Sequence, residues 1–419
     1  MIATGDSVQA RVEKVLPGGD SSVRVQGETI LVANAVPGDL IDITVTDKRR
    51  GVYRGEITNI VEASSERIQA PCSVAAQCGG CAMQFMPIEQ QAALKSSWVE
   101  YAFRDISEAD TDFIAIKAEG DMCRRRVRWF VGSDDQGYFL GFYAQATHQA
   151  VRHAHCMVVT QELNAVRKLI ESDIALDTVN SVQAVQLHDG MHIIIETDSA
   201  PVIDIESLDE LALQWWWRDA KRITRPLKKP AKQFHDLLPA GDTSIALTVG
   251  PDDFVQGQHE GNQLLIRQIQ QWAGPVRRVA DLFCGIGNLS LPLAASTGAT
   301  VFGAELNAAS IRAASKNSKT LKLNAQFEVA NLFEAFALAP YIGADVLILD
   351  PPRRGAKRVC NQVSRLLPQM IIMVSCDPAA GARDAAILKQ QGYRMKALRA
   401  LDLFPYAGHV EAMSLWVKS

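Results

Sequence analysis

From about Pro251 to the end of the chain, short apolar runs alternate with helix-like stretches. This alternation constrains the fold more than any other feature. RRVADLFCG reads as a strand entering a tight turn, and GNLSLPLAAS opens a helix. TVFGAEL is a second strand, NAASIRAASKNSKTL a helix and AQFEVANL a strand. ADVLILDPP, QMIIMVSCD and a final MSLWVKS are further strands. Strands joined through helices imply crossover connections, which predict a parallel, doubly wound sheet. Functional side chains then collect at the carboxyl ends of the strands.

The first 62 residues follow another pattern. VQARVEKV, SVRVQ, ETILVANA, LIDITVTDK and YRGEITNIV are short alternating runs separated by Pro-Gly, Gly-Gly and Gly-Asp turns. Five such strands predict a small closed barrel of the oligonucleotide-binding type. Between the two regions, 87–106 reads as a helix with Pro87 in its first turn and Leu94, Trp98, Tyr101 and Phe103 as its apolar face. VRWFVGS, YFLGFYA and MHIIIETD read as strands, Glu162–Ile170 as a helix, and the basic stretch from Arg222 to Lys232, with two prolines, as a loop or linker. The expected units are 1–62, 63–250 and 251–419.

Four motifs fall where the parallel sheet puts its strand ends. In DLFCGIGN, Gly285 and Gly287 follow a strand and let the backbone approach a ligand. Glu305 ends the next strand, placed to accept hydrogen bonds from ribose hydroxyls. The third glycine of a dinucleotide fingerprint is missing. That favours an adenosine-containing ligand without a pyrophosphate, such as S-adenosylmethionine. Asp350 ends the strand VLILD, and the following Pro351 and Pro352 stop the strand and aim the carboxylate into the cleft. Cys376, after MIIMV, sits where a thiol can reach a substrate. In FPYAGHVE, Glu411 is a candidate general base and His409 a weaker one.

Eight cysteines are spread unevenly, and Cys72, Cys78 and Cys81 lie within ten residues. That grouping points to metal or cluster binding rather than to a disulfide framework. Cys156, in HAHCMVV, is the candidate fourth ligand. The spacing alone does not separate zinc from an iron–sulfur cluster. Cys284 reads as a packing residue. The 47% hydrophobic and 21% charged composition is that of an ordinary globular chain, and no apolar run approaches membrane-spanning length. MIATGDSVQA lacks the features of a signal peptide, so a cytoplasmic location is expected. The net charge of −4 gives no support to nucleic-acid binding, although a local basic surface is compatible with it.

Together, CGGCAMQFMPIEQQAALK, LGFYAQATHQAVRHAHC, DLFCGIGNLSLPLA, LDPPRRGA, VSCDP and FPYAGHVEAM resemble, in order and over almost the whole chain, the RNA 5-methyluridine methyltransferase family. The resemblance implies a class I (Rossmann-like) α/β S-adenosylmethionine methyltransferase domain. It also implies an N-terminal TRAM barrel and a mixed α+β central domain carrying a [4Fe-4S] cluster on Cys72, Cys78, Cys81 and Cys156, with zinc as the lesser alternative. Cys376 inherits the role of nucleophile, Glu411 that of base, and Asp350 a hydrogen bond to the polar edge of uracil. Cofactor contacts are implied for Gln256, Phe283, Gly285, Glu305, Asn331 and Asp350. The expected reaction methylates carbon 5 of a uridine in RNA. Ribosomal RNA is favoured over uridine 54 of transfer RNA, a non-catalytic RNA-binding protein on the same fold is the further alternative, and a monomer with no membrane partner is expected. The cluster is expected to be structural or to position RNA, because methyl transfer of this kind is polar. Four positions depart from the family pattern. Asp377 replaces Asn, Tyr406-Ala407 replaces His-Thr, Gln258 replaces Asn and Cys123 replaces Tyr. Arg124, Arg125, Arg126 and Arg128 are candidate phosphate contacts or a solvated charge run.

Overall fold

The computed structural model describes residues 2–117, 123–201, 212–229 and 231–418. Strands Ser7–Val15, Ser21–Val25, Glu28–Val32, Leu40–Arg49 and Val52–Glu62 close into a barrel, with the third and fifth strands paired in parallel. Period-two alternation turns Val12, Val23, Ile30, Ile41 and Ile43 inward as its core.

A seven-stranded sheet follows. Its spatial order is Thr224–Pro226, Leu213–Arg218, Met191–Glu196, Ser181–Gln186, Arg126–Asp134, Gly137–Tyr143 and Ala150–Val151. Helix Gln161–Asp173 packs Leu163, Val166 and Ile170 into the same core as Val127, Trp129 and Ile193. The stretch from Arg222 to Lys232, expected as a loop, therefore contains a short strand. Its proline is tolerated because the strand lies at the sheet edge, where one side needs no partner. Pro230 of that stretch lies outside the described residues.

The third sheet has eight strands, in the order Ala325–Val329, Thr300–Glu305, Arg278–Leu282, Val346–Leu349, Met370–Ser375, Glu411–Lys418, Tyr393–Asp402 and Asp112–Lys117. The first five are mutually parallel. The expectation of a wholly parallel sheet needs correction. Glu411–Lys418 runs antiparallel to both its neighbours. Only residues 403–410 connect it to Tyr393–Asp402, too few for a crossover, so the chain must return as a hairpin.

Helix Ile88–Phe103 packs on helix Pro378–Gln390 and on strand Tyr393–Asp402. Trp98, Val99 and Phe103 are buried there, contributing roughly 1.5–3 kcal/mol each. Its face differs from the expected apolar one. Tyr101 is exposed, with Arg104 over its ring, while Gln91 and Lys95 are completely buried.

Candidate active site

The carboxyl ends of the parallel strands open into one cleft of about 720 Å³, within the range of small-molecule sites. Gln256, Phe283, Gly285, Glu305, Asp350, Cys376 and Glu411 all line it. At the turn after Arg278–Leu282, Phe283 has φ +76° and Gly287 φ +85°. The amides of Phe283 and Cys284 both donate to the Ala304 carbonyl, at 2.9 and 3.1 Å, tying the turn to the neighbouring strand. A side chain at Gly287 would collide with Leu291, which explains why glycine is required there. Asn331 is the one expected cofactor residue absent from the cleft lining. Its Oδ1 accepts from the Phe333 amide at 3.1 Å, while Ala330, Leu332 and Phe333 around it form the wall.

The chemical end of the cleft gathers one thiol and two carboxyls. Burial raises Glu411 to about 7, and its Oε2 has no hydrogen-bond partner among the described residues. Burial, with the negative charge of Glu411 beside it, raises Asp350 to about 7. Cys376 is pushed up by burial and then by Glu411 and Asp350, while Arg353 pulls it down. Asp281, at the foot of the same cleft, is buried, and burial lifts it to about 7 against the opposing pull of the neighbouring Ser290 hydroxyl. Cys284, expected as a packing residue, is buried but also contributes to the cleft lining. Asn262 and Asn288 exchange reciprocal amide bonds of 2.9 and 2.8 Å beside the cleft, a pair that nothing in their sequence spacing marks.

Cys376 directly precedes helix Pro378–Gln390. Asp377 is the N-cap of this helix, its side chain accepting from the Ala380 amide at 3.0 Å. Asp and Asn are comparably good N-caps, so the departure at this position preserves the local structure.

The loop leading to Glu411 is held from three directions. Lys95 Nζ donates to Asp402 Oδ1 at 2.7 Å and to the Phe404 carbonyl at 2.8 Å. Gln91 accepts from the Tyr406 amide at 3.0 Å and donates to the Met86 carbonyl at 2.8 Å. The Met83 amide donates to the Tyr406 carbonyl at 3.0 Å. The barrel touches the same loop, where the Gly18 amide donates to the Gly408 carbonyl at 2.8 Å. Any side chain at Gly408 would strike the Gly18–Gly19 backbone. Tyr406 is buried with φ +64°, so the departure from His lies in the scaffold of the loop. His409 is exposed, with Arg353 Nη2 3.4 Å from its ring.

Cys72, Cys78, Cys81 and Cys156 line one small cavity with Gln84, Phe142, His153 and His155. All four are free thiols. Burial raises Cys78, Cys156 and Cys81, the last to about 11. Among the described residues no three His, Cys, Asp or Glu side chains converge tightly enough for a single metal ion. The cysteine loops are fixed by side chains that the sequence does not advertise. Gln84 accepts from the Cys72 amide at 3.0 Å. Asn164 accepts from the Cys156 amide at 2.9 Å and donates to the Cys156 and Val159 carbonyls, both at 3.0 Å.

The candidate phosphate-binding arginines divide. Arg125 is buried and makes a bidentate pair with Asp236 at 2.7 and 2.8 Å, and it donates to the Gln256 carbonyl at 3.0 Å. It is therefore a fixture of the cleft wall. Arg128 pairs with Glu196. Arg126 lies over the exposed Phe254 ring at the cleft, and Arg124 over Phe404. Gln258 is buried, and among the described residues neither of its side-chain polar atoms finds a partner. Cys123 is half-buried at the start of the arginine segment.

Comparison with known proteins agrees with this geometry. The family described as Methyltransferase small domain matches residues 254–370. The 23S rRNA (uracil(1939)-C(5))-methyltransferase RlmD of Pseudomonas aeruginosa is 32% identical over 99% of this chain and 95% of that protein. The protein of the same name from Aromatoleum aromaticum is 31% identical over 98% of this chain and 99% of its own length. In fold, the chain is similar to the tRNA (uracil-54, C5)-methyltransferase of Pyrococcus abyssi, solved with S-adenosyl-L-homocysteine. The TM-score is 0.78 at 19% identity, covering 98% of this chain and 100% of that one. With 98–99% of the chain aligned to relatives above 30% identity, and Cys376, Glu411 and Asp350 together on one cleft, the chain belongs to the RNA 5-methyluridine methyltransferase family.

Proposed function

We propose that the chain transfers a methyl group from S-adenosylmethionine to carbon 5 of a uridine in 23S ribosomal RNA, at the site equivalent to uracil 1939 of its relatives. The observation that carries the residue roles is the convergence of Cys376, Glu411 and Asp350 on the cleft that Glu305 and Gly285 also line.

Carbon 5 of uracil is a weak nucleophile. Addition of the Cys376 thiolate, its proton released to water, to carbon 6 turns the ring into an enolate, whose carbon 5 takes the methyl group as S-adenosylhomocysteine leaves. Glu411 then removes the carbon 5 proton, and elimination breaks the sulfur–carbon 6 bond. A base whose pKa lies near 7 suits proton abstraction at neutral pH. Asp350, which burial keeps partly protonated at neutral pH, can donate a hydrogen bond to the exocyclic carbonyl oxygen at carbon 4, where enolate charge develops. The target base must leave its stack for the thiol to reach the ring face. Glu305 would accept from the ribose hydroxyls of the methyl donor, and Gln256 and Phe283 would line its site.

The four cavity cysteines suit a [4Fe-4S] cluster. They surround one volume without the tight convergence that a single ion requires, and a cluster would hold their thiolates deprotonated despite burial. When bound, the group supplies a covalent cross-link between the 72–81 loop and Cys156. Iron and acid-labile sulfide in the anaerobically purified protein, with cluster absorbance, are expected. Stoichiometric zinc without sulfide would replace the cluster by a zinc site.

The test of the reaction uses methyl-labelled S-adenosylmethionine and RNA from a strain lacking the protein. The expected product is one 5-methyluridine in 23S RNA, lost with Cys376→Ala. Label at a position other than carbon 5, or full activity of Cys376→Ala, overturns the mechanism. Label in transfer RNA alone overturns the substrate.

A further inference from the structure

The sequence that follows Asp350 continues Pro-Pro-Arg-Arg-Gly-Ala-Lys-Arg, placing four cations within six positions of a chain whose net charge is −4. Arg353, Arg354, Lys357 and Arg358 are all exposed. None of the four pairs with a carboxylate among the described residues. Asp384, which lies beside Gly355, is buried and already engaged by Arg383 and the Ala356 amide. Three of them, Arg354, Lys357 and Arg358, border an open groove of about 390 Å³ that Phe333, Asn361 and Gln362 also line. Phe333 and Arg354 also line the catalytic cleft, so the groove continues it at the surface. The Arg354 guanidinium carbon lies 3.0 Å from the Phe333 ring centroid, a contact that braces it at the junction.

Unpaired like charges held this close repel one another, and an anion laid among them relieves that repulsion. The lining is cationic and polar with a single aromatic ring, so it fits a phosphate backbone better than a row of stacked bases. We infer that this groove holds the phosphates of the RNA strand adjoining the target uridine, with Lys357 and Arg358 as the contacts furthest from the reacting atoms. The inference rests on the proposed RNA reaction and adds a path for the strand outside the cleft. Neither cation touches the chemical end, so their role is to hold the strand while Cys376 and Glu411 act.

The experiment compares the full-length protein with the double variant Lys357→Ala/Arg358→Ala, and with Arg267→Ala as an exposed control elsewhere. Binding to unmodified 23S RNA and to poly(U) is measured across a salt series, together with S-adenosylmethionine affinity and methylation kinetics. Two released contacts should lower the slope of log affinity against log salt by roughly 0.7 to 0.9 each and weaken binding about tenfold near physiological salt. The loss should be similar for both RNAs, with KM for RNA raised and both kcat and cofactor affinity kept. The control should stay at the parent value. An unchanged salt slope and affinity in the double variant overturns the groove. So does a loss confined to the 23S RNA, which marks base readout instead of phosphate contact. Equal weakening of cofactor binding shows that the groove serves the methyl donor. If the parent protein neither binds nor methylates RNA, the proposed function itself fails, a result separate from the variant comparison.

Discussion

In the cleft, Glu411 leaves Oε2 without a hydrogen-bond partner among the described residues, and buried Asp281 has only the Ser290 hydroxyl to oppose its desolvation. Around the cysteines, the buried amides are engaged. Gln84 holds the Cys72 backbone, and Asn164 holds Cys156 through two bonds and Val159 through a third, while His153 Nε2 has no partner among the described residues. An unpartnered buried polar group costs about 1–3 kcal/mol. The cleft keeps such groups where a substrate can satisfy them, and the cysteine region uses its polar groups to fix backbone. One site is poised for a ligand and the other is braced by the chain. The Phe404–Glu411 loop joins the two, since Met83 and Gln91 grip it from the cysteine side and Glu411 ends it at the cleft.

The contrast is broken most severely at Glu411. Glu411→Gln removes the base while leaving the thiol, so addition and methyl transfer remain possible and proton removal does not. Turnover should fall by at least about 10²–10⁴-fold, the contribution of a positioned base. The covalent protein–RNA adduct should persist on a denaturing gel. A variant that turns over normally, or forms no adduct while still binding RNA and cofactor, removes Glu411 from the mechanism.

The next effect lies at the joint. Lys95 is fully buried, and burial lowers its pKa while Asp402 opposes that shift. Asp402 Oδ2 already lacks a partner. Lys95→Met leaves that carboxylate alone in the interior and should destabilise the chain by roughly 3–5 kcal/mol in denaturant unfolding. Lys95→Met/Asp402→Leu should recover most of the stability but not the rate, because the Phe404 carbonyl stays unheld. Full recovery of kcat in the double variant would reduce Lys95 to a packing role.

These joints show what one sequence can and cannot disclose. Cys376, Glu411, Asp350 and Glu305 were legible because strand ends converge in a parallel sheet, so position along the chain predicts position in the cleft. The barrel was legible from its alternation. Lys95 and Gln91 were not, because their partners lie more than 300 residues away and a polar residue in a helix reads as solvent-facing. Asn164 was hidden for a similar reason, since a polar side chain inside a helix reads as solvent-facing while its own partners lie in the loop before that helix. The antiparallel final strand needed a count of connecting residues, not a pattern of apolar ones. The segment Asp112–Lys117 joins the catalytic sheet through pairing with Ala397–Asp402, which no local periodicity encodes.

A smaller effect tests whether the cleft sacrifices stability for chemistry. Folding raises Glu411 from 4.5 to about 7, so the folded state binds its proton more tightly than the unfolded chain. The stability associated with that proton is fully present below about pH 4.5. It is lost as pH rises to about 7 and stays lost above. The full difference is about 3 kcal/mol from the linkage relation. Glu411→Gln should therefore be more stable than the parent at pH 8, by up to about that amount, with the gap closing towards pH 4.5. Relief of Asp350, which Glu411 also raises, acts in the same direction. A gap independent of pH would mean that Glu411 is not titrating in a desolvated site.

The smallest expected effect is at Asp377, next to Cys376 and one of the departures from the family pattern. Its side chain caps the helix that begins just after Cys376, and the Ser375 hydroxyl donates to its carbonyl at 2.8 Å. The capping bond needs an oxygen acceptor, which Asn and Asp both provide, so Asp377→Asn should change stability by less than about 0.5 kcal/mol and leave kcat close to that of the parent. Asp377→Ala loses the acceptor and should cost about 1 kcal/mol, with a drop in activity if the cap also fixes the thiol. A large gain in rate with Asn, at unchanged stability, would instead mean that the extra negative charge beside Cys376 restrains thiolate formation. The departure would then tune the chemistry rather than substitute one cap for another.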